Sequence, residues 1–183
     1  LVATHNSAKL VEFRRLLVGV EVLGAGEVGL VEPEETAGSF AGNARLKALA
    51  AAKGAGVPAI ADDSGLCVAA LGGGPGVVSA RYAGGDYAGA FARIIAACEA
   101  AGEWRAWFVC ALCVAEVDGR TRTYLGRADG RIARVASGVS GFGYDPIFVP
   151  EGFEVTYAAL GVVKDGISHR ARAVGQLVRV LGR

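Results

Sequence analysis

The sequence predicts an α/β fold built on a mixed β-sheet, and three observations lead there. Short apolar runs of strand character, at residues 57–61, 107–117 and 147–149, alternate with stretches of helical period. The run 107–117 is joined to residues 121–125 by Asp118-Gly119, a hairpin signal that calls for antiparallel pairing. The remaining runs are separated by helices, and such crossovers suit parallel neighbours.

Each element has a local reason. Leu1-Val2-Ala3 reads as the end of a strand, and Thr4-His5-Asn6-Ser7 as a polar turn. Residues 8–17 then place Leu10, Phe13, Leu16 and Leu17 on one helical face, with Asn6 or Ser7 as the N-cap. Residues 20–23 suggest a second strand, and Glu32-Pro33-Glu34-Glu35-Thr36 an acidic loop. Residues 39–53 read as a helix closed by Gly54 and Gly56. The run 57–61 leads into Asp62-Asp63-Ser64-Gly65, read as the end of that strand, and 64–80 as loop around Gly72-Gly73-Gly74-Pro75-Gly76. Residues 87–101 are Ala-rich and helical, 130–135 form a further strand, and 137–146 are glycine-punctuated loop. Ser168 caps a last helix with Val174, Leu177, Val178 and Leu181 inward.

Composition narrows the class of protein. A chain of 183 residues forms one unit, of one or two lobes, and buries roughly 70% of its unfolded surface. With 52% hydrophobic residues, disorder is excluded. Lys and Arg number 19 against 18 Asp and Glu, so no global basic field exists to hold nucleic acid. The longest uncharged run, 64–80, is broken by glycine and proline and is not a membrane span. No signal peptide opens the chain, and the absence of Met places the native start upstream. Cys67, Cys98, Cys110 and Cys113 all lie among apolar neighbours. Cys110 and Cys113, three apart on a strand, point to opposite faces, which suits neither a shared metal nor a disulfide. Reduced cysteines point to the cytoplasm.

Four stretches could carry chemistry. Thr4 to Lys9 sets a helix N-terminus beside a lysine, which is either an anion site or an ordinary capped helix. Asp62-Asp63 offers carboxylates for a hard cation such as Mg²⁺, with Glu34 and Glu35 as further donors; the alternative is a solvated turn. Alternation along a strand lets only one of the two Asp enter a given site. Gly141-Phe142-Gly143 can present a ring face to a base, or simply be a turn with core aromatics. Lys164 and Ser168-His169-Arg170 place cations at helix starts, where they oppose the dipole unless a ligand acceptor is there.

Taken in order, these stretches resemble the non-canonical purine nucleoside triphosphate pyrophosphatases, also called inosine triphosphate pyrophosphatases. The resemblance rests on Leu1-Val2-Ala3-Thr4-His5-Asn6, Lys9, Glu12, Asn43-Ala44, Lys47-Ala48 and Ala61-Asp62-Asp63-Ser64-Gly65-Leu66. It continues through Ala70-Leu71-Gly72-Gly73, Pro75-Gly76-Val77, Ser79-Ala80-Arg81-Tyr82-Ala83-Gly84 and Gly141-Phe142-Gly143-Tyr144-Asp145-Pro146-Ile147-Phe148. Thr156, Lys164 and Ile167-Ser168-His169-Arg170 close it. It implies one two-lobed domain over residues 1–183, with an elongated mixed sheet flanked by helices and a nucleotide cleft between the lobes. It also implies Mg²⁺-dependent cleavage of ITP, dITP, XTP and dXTP between the α and β phosphates by a homodimer that cleanses the nucleotide pool.

By the same resemblance Thr4, His5, Asn6, Ser7, Ala8 and Lys9 would hold the phosphates. Glu34 and Asp63 would bind Mg²⁺, with Glu35 in support and Asp63 also the base that activates water. Ser64 would touch the nucleotide. Phe142, Gly143, Tyr144, Asp145, Lys164, His169 and Arg170 would surround the base. Three family carboxylates are missing, where this chain has Gly42, Ala159 and Val163. Their loss leaves a catalytically impaired purine-nucleotide-binding protein as one alternative. A Maf-like nucleotide pyrophosphatase is another, which Ser168-His169-Arg170 disfavours.

Overall fold

The computed structural model describes residues 1–182. The chain forms two compact units. One comprises Leu1–Asp63, Cys110–Gly126 and the segment from Arg170 onward; the other comprises Ser64–Val109 and Arg127–His169. A four-stranded sheet runs in the order β1 (Ala59–Val68), β2 (Arg105–Ala115), β3 (Thr121–Ile132), β4 (Phe148–Pro150). β3 and β4 are antiparallel, with Arg131 opposite Val149, whereas Val2 makes parallel bridges to Gly24 and Ile60. The sheet arrangement is therefore mixed, as the sequence predicts.

The first unit packs helices on both faces of its strands. Helix α1 (Ser7–Leu16) is capped by Asn6, and α2 (Phe40–Ala55) by Ser39, with Gly56 in the left-handed conformation at its end. Cys110 and Leu112 of β2 face a cluster with Leu10 and Phe13 of α1 and Val174 and Leu177 of α7 (His169–Val180). Ala111, Cys113 and Ala115 face the other way, onto Ala44, Ala48, Ala51 and Ala52 of α2. These helical positions recur at i, i+4, i+7 and i+8, so the Ala content forms one smooth stripe lying on an equally small-residue strand face. Covering on both faces explains why β2 reads as an unbroken apolar run. The two cysteines of the C-x-x-C lie on opposite faces and, like Cys67 and Cys98, are free and buried.

The second unit centres on α4 (Tyr87–Ala101), which buries Ala90, Ile94 and Cys98 against Leu66, Val68, Phe108, Ile132 and Phe148. Short helices α3 (Ser79–Ala83), α5 (Tyr157–Leu160) and α6 (Lys164–Ile167) complete it. Among the described residues no helix is long and apolar enough to cross a membrane.

Four expectations change. Residues 20–23 form no strand; pairing there shrinks to the single bridge at Gly24. Asp62-Asp63-Ser64-Gly65 is neither a turn nor a strand end, because β1 runs on through it to Val68. The run 121–125 and the first three residues of 130–135 belong to one strand, β3, which ends at Ile132. Tyr124, Gly126, Ala128 and Ile132 keep a period of two on its buried side, so Gly126 and Gly130 do not break it. Leu181 is exposed, because α7 stops at Val180.

Gly130 is fixed by its partner strand. A Cβ there would lie 2.3 Å from the Val149 carbonyl oxygen and 2.7 Å from the Phe148 ring. Gly130→Ala is therefore expected to destabilise the protein by about 1–3 kcal/mol, read as a fall in urea midpoint at unchanged m-value.

Candidate active site

The alternation of β1 decides what its two acidic residues can do. Ala59 and Ala61 face α2, and Ile60 packs with the cluster under α1. By parity Asp62 falls on the α1 side and Asp63 on the α2 side. Asp62 Oδ2 accepts from Arg170 at 2.8 Å and lies 3.1 Å from Lys9 Nζ. Arg170 also donates to Glu12, one turn beyond Lys9 on α1, and its guanidinium lies 5.8 Å from the Phe13 ring centre. Burial pushes the Asp62 carboxyl up, yet the charges of Arg170, Lys9 and Lys47 outweigh it and hold it well below the usual carboxylate range. Arg170 is in turn held firmly charged, mainly by Asp62 and Glu12 against its own burial. Burial and the Asp62 charge push the neighbouring Cys110 thiol up to about 12, so it is no nucleophile.

Asp63 sits in a different set of contacts. Its Oδ2 accepts from the Asn43 carboxamide at 3.0 Å, and its Oδ1 lies 4.0 Å from Lys47 Nζ. Lys47 is 2.5 Å from Glu35 Oε1. Asn43 and Lys47, at i and i+4, share the edge of the α2 stripe that reaches β1. Asn43 also accepts the Ala37 N–H at 2.9 Å, which ties the segment after Glu35 to the same carboxamide. The Asp63 carboxyl is raised above its ordinary value. Burial is the main cause and Glu35 adds to it, while Lys47, Asn43 and Lys9 oppose. Lys47 stays charged against its burial because Asp62, Glu35 and Asp63 surround it. Adjacent carboxylates thus differ: the charges of Arg170, Lys9 and Lys47 hold Asp62 low, whereas burial raises Asp63.

The α1 N-terminus is a capped helix before it is anything else. Asn6 Oδ1 takes the N–H groups of Ala8 and Lys9 at 3.0 and 3.1 Å, and Thr4 Oγ1 takes that of Asn6 at 3.1 Å. His5 is exposed and donates through Nε2 to the Leu30 carbonyl at 2.7 Å. Ser7 is the first helical residue and is exposed. Lys9 provides the charge of this segment, and that charge points at Asp62.

For a metal, Glu35 and Asp63 come together through their shared lysine, and Glu34 is exposed one residue earlier. Among the described residues no group of three His, Cys, Asp or Glu side chains is poised to hold an ion alone. That donor set fits Mg²⁺, which takes one or two carboxylates beside substrate phosphates and keeps several waters.

The second unit holds the other predicted residues. Asp145 Oδ2 accepts from Lys164 Nζ at 2.6 Å and from the Phe142 N–H at 2.9 Å. A Cβ on Gly141 would fall 2.0 Å from that oxygen, and Gly141 has φ +77°, so both space and backbone require glycine. The ammonium lies 5.0 Å from the Phe142 ring centre and 5.6 Å from that of Tyr157. Phe142 and Gly143 are half-buried. Tyr144 is core: its hydroxyl donates to the Ser79 carbonyl at 2.7 Å, and burial beside Tyr87 raises its pKa. His169 stacks on Phe108 with ring centres 4.6 Å apart. Ser64 follows Asp63 on β1, half-buried.

Two placements differ from the sequence reading. Arg170, grouped there with the base contacts, sends its guanidinium to Asp62 and Glu12 in the first unit. Tyr144 turns its hydroxyl inward to the backbone. Sequence reasoning gave no role to Glu12, Asn43 or Lys47. Their signal was present, in polar residues at i, i+3 or i, i+4 on otherwise apolar helix faces.

The Ham1 family model matches residues 1–180. A Rhodopseudomonas palustris protein named dITP/XTP pyrophosphatase is 48% identical over 197 residues, covering 98% of this chain and 94% of the relative. One of the same name from Caulobacter vibrioides is 48% identical over 185 residues, covering 98% and 95%. A solved HAM1 protein from Coxiella burnetii superposes with a TM-score of 0.88 at 40% identity, covering 99% of this chain and 96% of that one. The Staphylococcus aureus Ham1 protein gives 0.86 at 36%, covering 99% and 96%.

The buried ion cluster makes a stability prediction. Arg170→Met removes the guanidinium that both Asp62 and Glu12 accept from in the buried cluster, and is expected to cost about 3–5 kcal/mol in denaturant unfolding. Because the Asp62 pKa is lowered by folding, its wild-type contribution is complete at neutral pH. It is lost only as pH falls below the ordinary carboxylate range. The stability deficit of Arg170→Met should therefore shrink as pH is lowered through that range.

Proposed function

This chain belongs to the Ham1 family, and on that premise we infer that it hydrolyses non-canonical purine nucleoside triphosphates of the dITP and XTP type. The products are the nucleoside monophosphate and pyrophosphate. The observation that carries the catalytic assignment is the division of labour on β1. Asp62 is consumed by Lys9 and Arg170, whereas Asp63 faces Asn43, Lys47 and Glu35.

Asp63 acts as the base. Its carboxylate takes a proton from the water that attacks the α–β phosphoanhydride, and the bond to the pyrophosphate breaks. Asn43 holds one oxygen of that carboxylate and so orients the other. Lys9 and Lys47 bring positive charge to a reaction governed by charge neutralisation and alignment. Mg²⁺, held by Asp63 and Glu34 with Glu35 in support, would neutralise the phosphate oxygens as charge develops on them. The phosphate role of Thr4 to Lys9 and the nucleotide contact of Ser64 complete this half of the reading.

The purine is read in the second unit. Hypoxanthine and xanthine carry an oxygen acceptor at position 6, which suits the Lys164 donor; adenine presents an amino donor there and leaves the ammonium unmatched. Phe142 offers a ring face for stacking, Asp145 fixes Lys164, and His169 is held by Phe108. The working form is taken as a cytoplasmic homodimer, with the four free, buried cysteines supporting a reducing compartment.

The missing carboxylates do not weaken this reading. Ala159 and Val163 are exposed, and a Cβ at Gly42 would lie 2.6 Å from the Ala37 Cβ. The space at Gly42 is taken by Ala37 and the Ser39 hydroxyl.

Pyrophosphate release from dITP, XTP, GTP, ATP, CTP and UTP, with and without Mg²⁺, tests the activity. Turnover confined to dITP and XTP and dependent on Mg²⁺ is the expected result; turnover of pyrimidines alone would sink it. Asp63→Asn should abolish turnover while retaining nucleotide binding by calorimetry. Lys164→Gln should lower kcat/KM for dITP by roughly ten- to a hundredfold, the effect of losing one charged hydrogen bond, and narrow the dITP/dATP ratio.

A further inference from the structure

We propose that Lys47 is a built-in counter-ion that keeps Mg²⁺ off Glu35 and Asp63 until a polyphosphate arrives. The inference rests on the metal role given to those carboxylates above. Lys47 Nζ is 2.5 Å from Glu35 Oε1 and 4.0 Å from Asp63 Oδ1, with the lysine side chain only 5% exposed. Its position is not adjustable at will. The stem emerges from the buried Ala stripe of α2, one turn after Asn43, which grips the other oxygen of Asp63. The charge therefore lies where a cation shared by the two carboxylates would feel it at full strength.

A divalent ion approaching Glu35 and Asp63 meets a fixed positive charge in a poorly hydrated site, where repulsion is weakly screened. Lys47, with the Asn43 carboxamide on Asp63, already counters the two carboxylates, so metal alone gains little by entering. A polyphosphate changes the balance. Its oxygens are strong acceptors for an ammonium, and they draw Lys47 away from Glu35. The two carboxylates then need a new counter-charge, which Mg²⁺ would supply. Binding of metal and of polyphosphate is thus positively coupled, and the coupling is reciprocal. The cation enters with its substrate and does not wait in the site, where it would hold Asp63 in a metal-bound state between turnovers.

The test is metal binding without nucleotide. Mg²⁺ alone is titrated by calorimetry into wild type, Lys47→Gln and Lys47→Arg, and each titration is repeated with saturating inorganic pyrophosphate. Removal of the charge in Lys47→Gln is expected to tighten binding of Mg²⁺ alone on the order of tenfold or more. Lys47→Arg, which keeps the charge, stays as weak as wild type. Lys53→Gln, at an exposed position of the same helix, changes nothing. In wild type pyrophosphate strengthens Mg²⁺ binding, and in Lys47→Gln that strengthening shrinks.

Unchanged or weaker binding of Mg²⁺ alone in a folded Lys47→Gln protein overturns the proposal. If Lys47→Gln does not give a native near-UV spectrum, Lys47→Met is titrated in its place under the same criterion. Should neither fold, the wild type decides: Mg²⁺ affinity independent of pyrophosphate overturns the coupling, and a mutual enhancement supports it. Failure of the underlying functional reading looks different. In that case wild type binds no Mg²⁺ even with pyrophosphate and does not cleave dITP, whatever Lys47→Gln does.

Discussion

Neighbouring side chains on a β-strand cannot face the same side of a sheet, and this geometric fact organises the first unit. Asp62 and Asp63 are chemically identical and adjacent, yet they meet different helices. One is committed to Lys9 and Arg170, the other to Asn43 and Lys47. Had β1 ended before them, as a turn would require, both would be hydrated and equivalent. Continuation of the strand through an acidic pair commits one carboxylate to a buried ion cluster and sets the other against Asn43 and Lys47.

That continuation has an electrostatic cost, and the surrounding helices are arranged to offset it. A buried carboxylate costs several kcal/mol unless it is paired and hydrogen-bonded. The pairing comes from both ends of the chain: α1 brings Lys9 and Glu12, and α7 brings Arg170. The cluster therefore closes the first unit topologically as well as electrically. Removing Arg170 from it leaves the carboxylates of Asp62 and Glu12 buried near each other, beside the apolar contacts that Leu10 and Phe13 make with Val174 and Leu177. On the other face the small side chains of α2 serve a related end. An Ala stripe against Ala111, Cys113 and Ala115 lets the helix lie close to the strand, so that the short Asn43 side chain spans to Asp63.

Much of this was legible in the residues. The helices, the hairpin at Asp118-Gly119 and the opposed faces of Cys110 and Cys113 follow from period and turn chemistry. What was not legible depends on partners distant in sequence. Residues 20–23 have strand composition but find only one bridge, because strand content is decided by the available neighbour. Asp62-Asp63-Ser64-Gly65 has turn composition, and only the cations of α1, α2 and α7 allow it to remain extended and buried. Arg170 stands beside His169 in the chain, yet its guanidinium serves Asp62, 108 positions away. The signal for Asn43 and Lys47 was a local one, two polar residues a helical turn apart on an Ala face, and it gains meaning only once Asp63 is known to point there.

The two units solve a common problem by the same means. Each holds a lysine ammonium in one place inside the fold, and a free lysine has many rotamers to lose. In the first unit Glu35 holds Lys47, and in the second Asp145 holds Lys164. The carboxylate removes the rotamer freedom before the ligand comes and keeps the charge in a poorly hydrated place. It also sets a threshold, because a ligand atom must compete with a carboxylate for the same protons. A phosphate oxygen meets that threshold by its charge. In the second unit the Phe142 and Tyr157 ring faces also flank the Lys164 ammonium. The loop supporting Asp145 is correspondingly exact in its demands, since Gly141 admits no side chain beside Asp145 Oδ2.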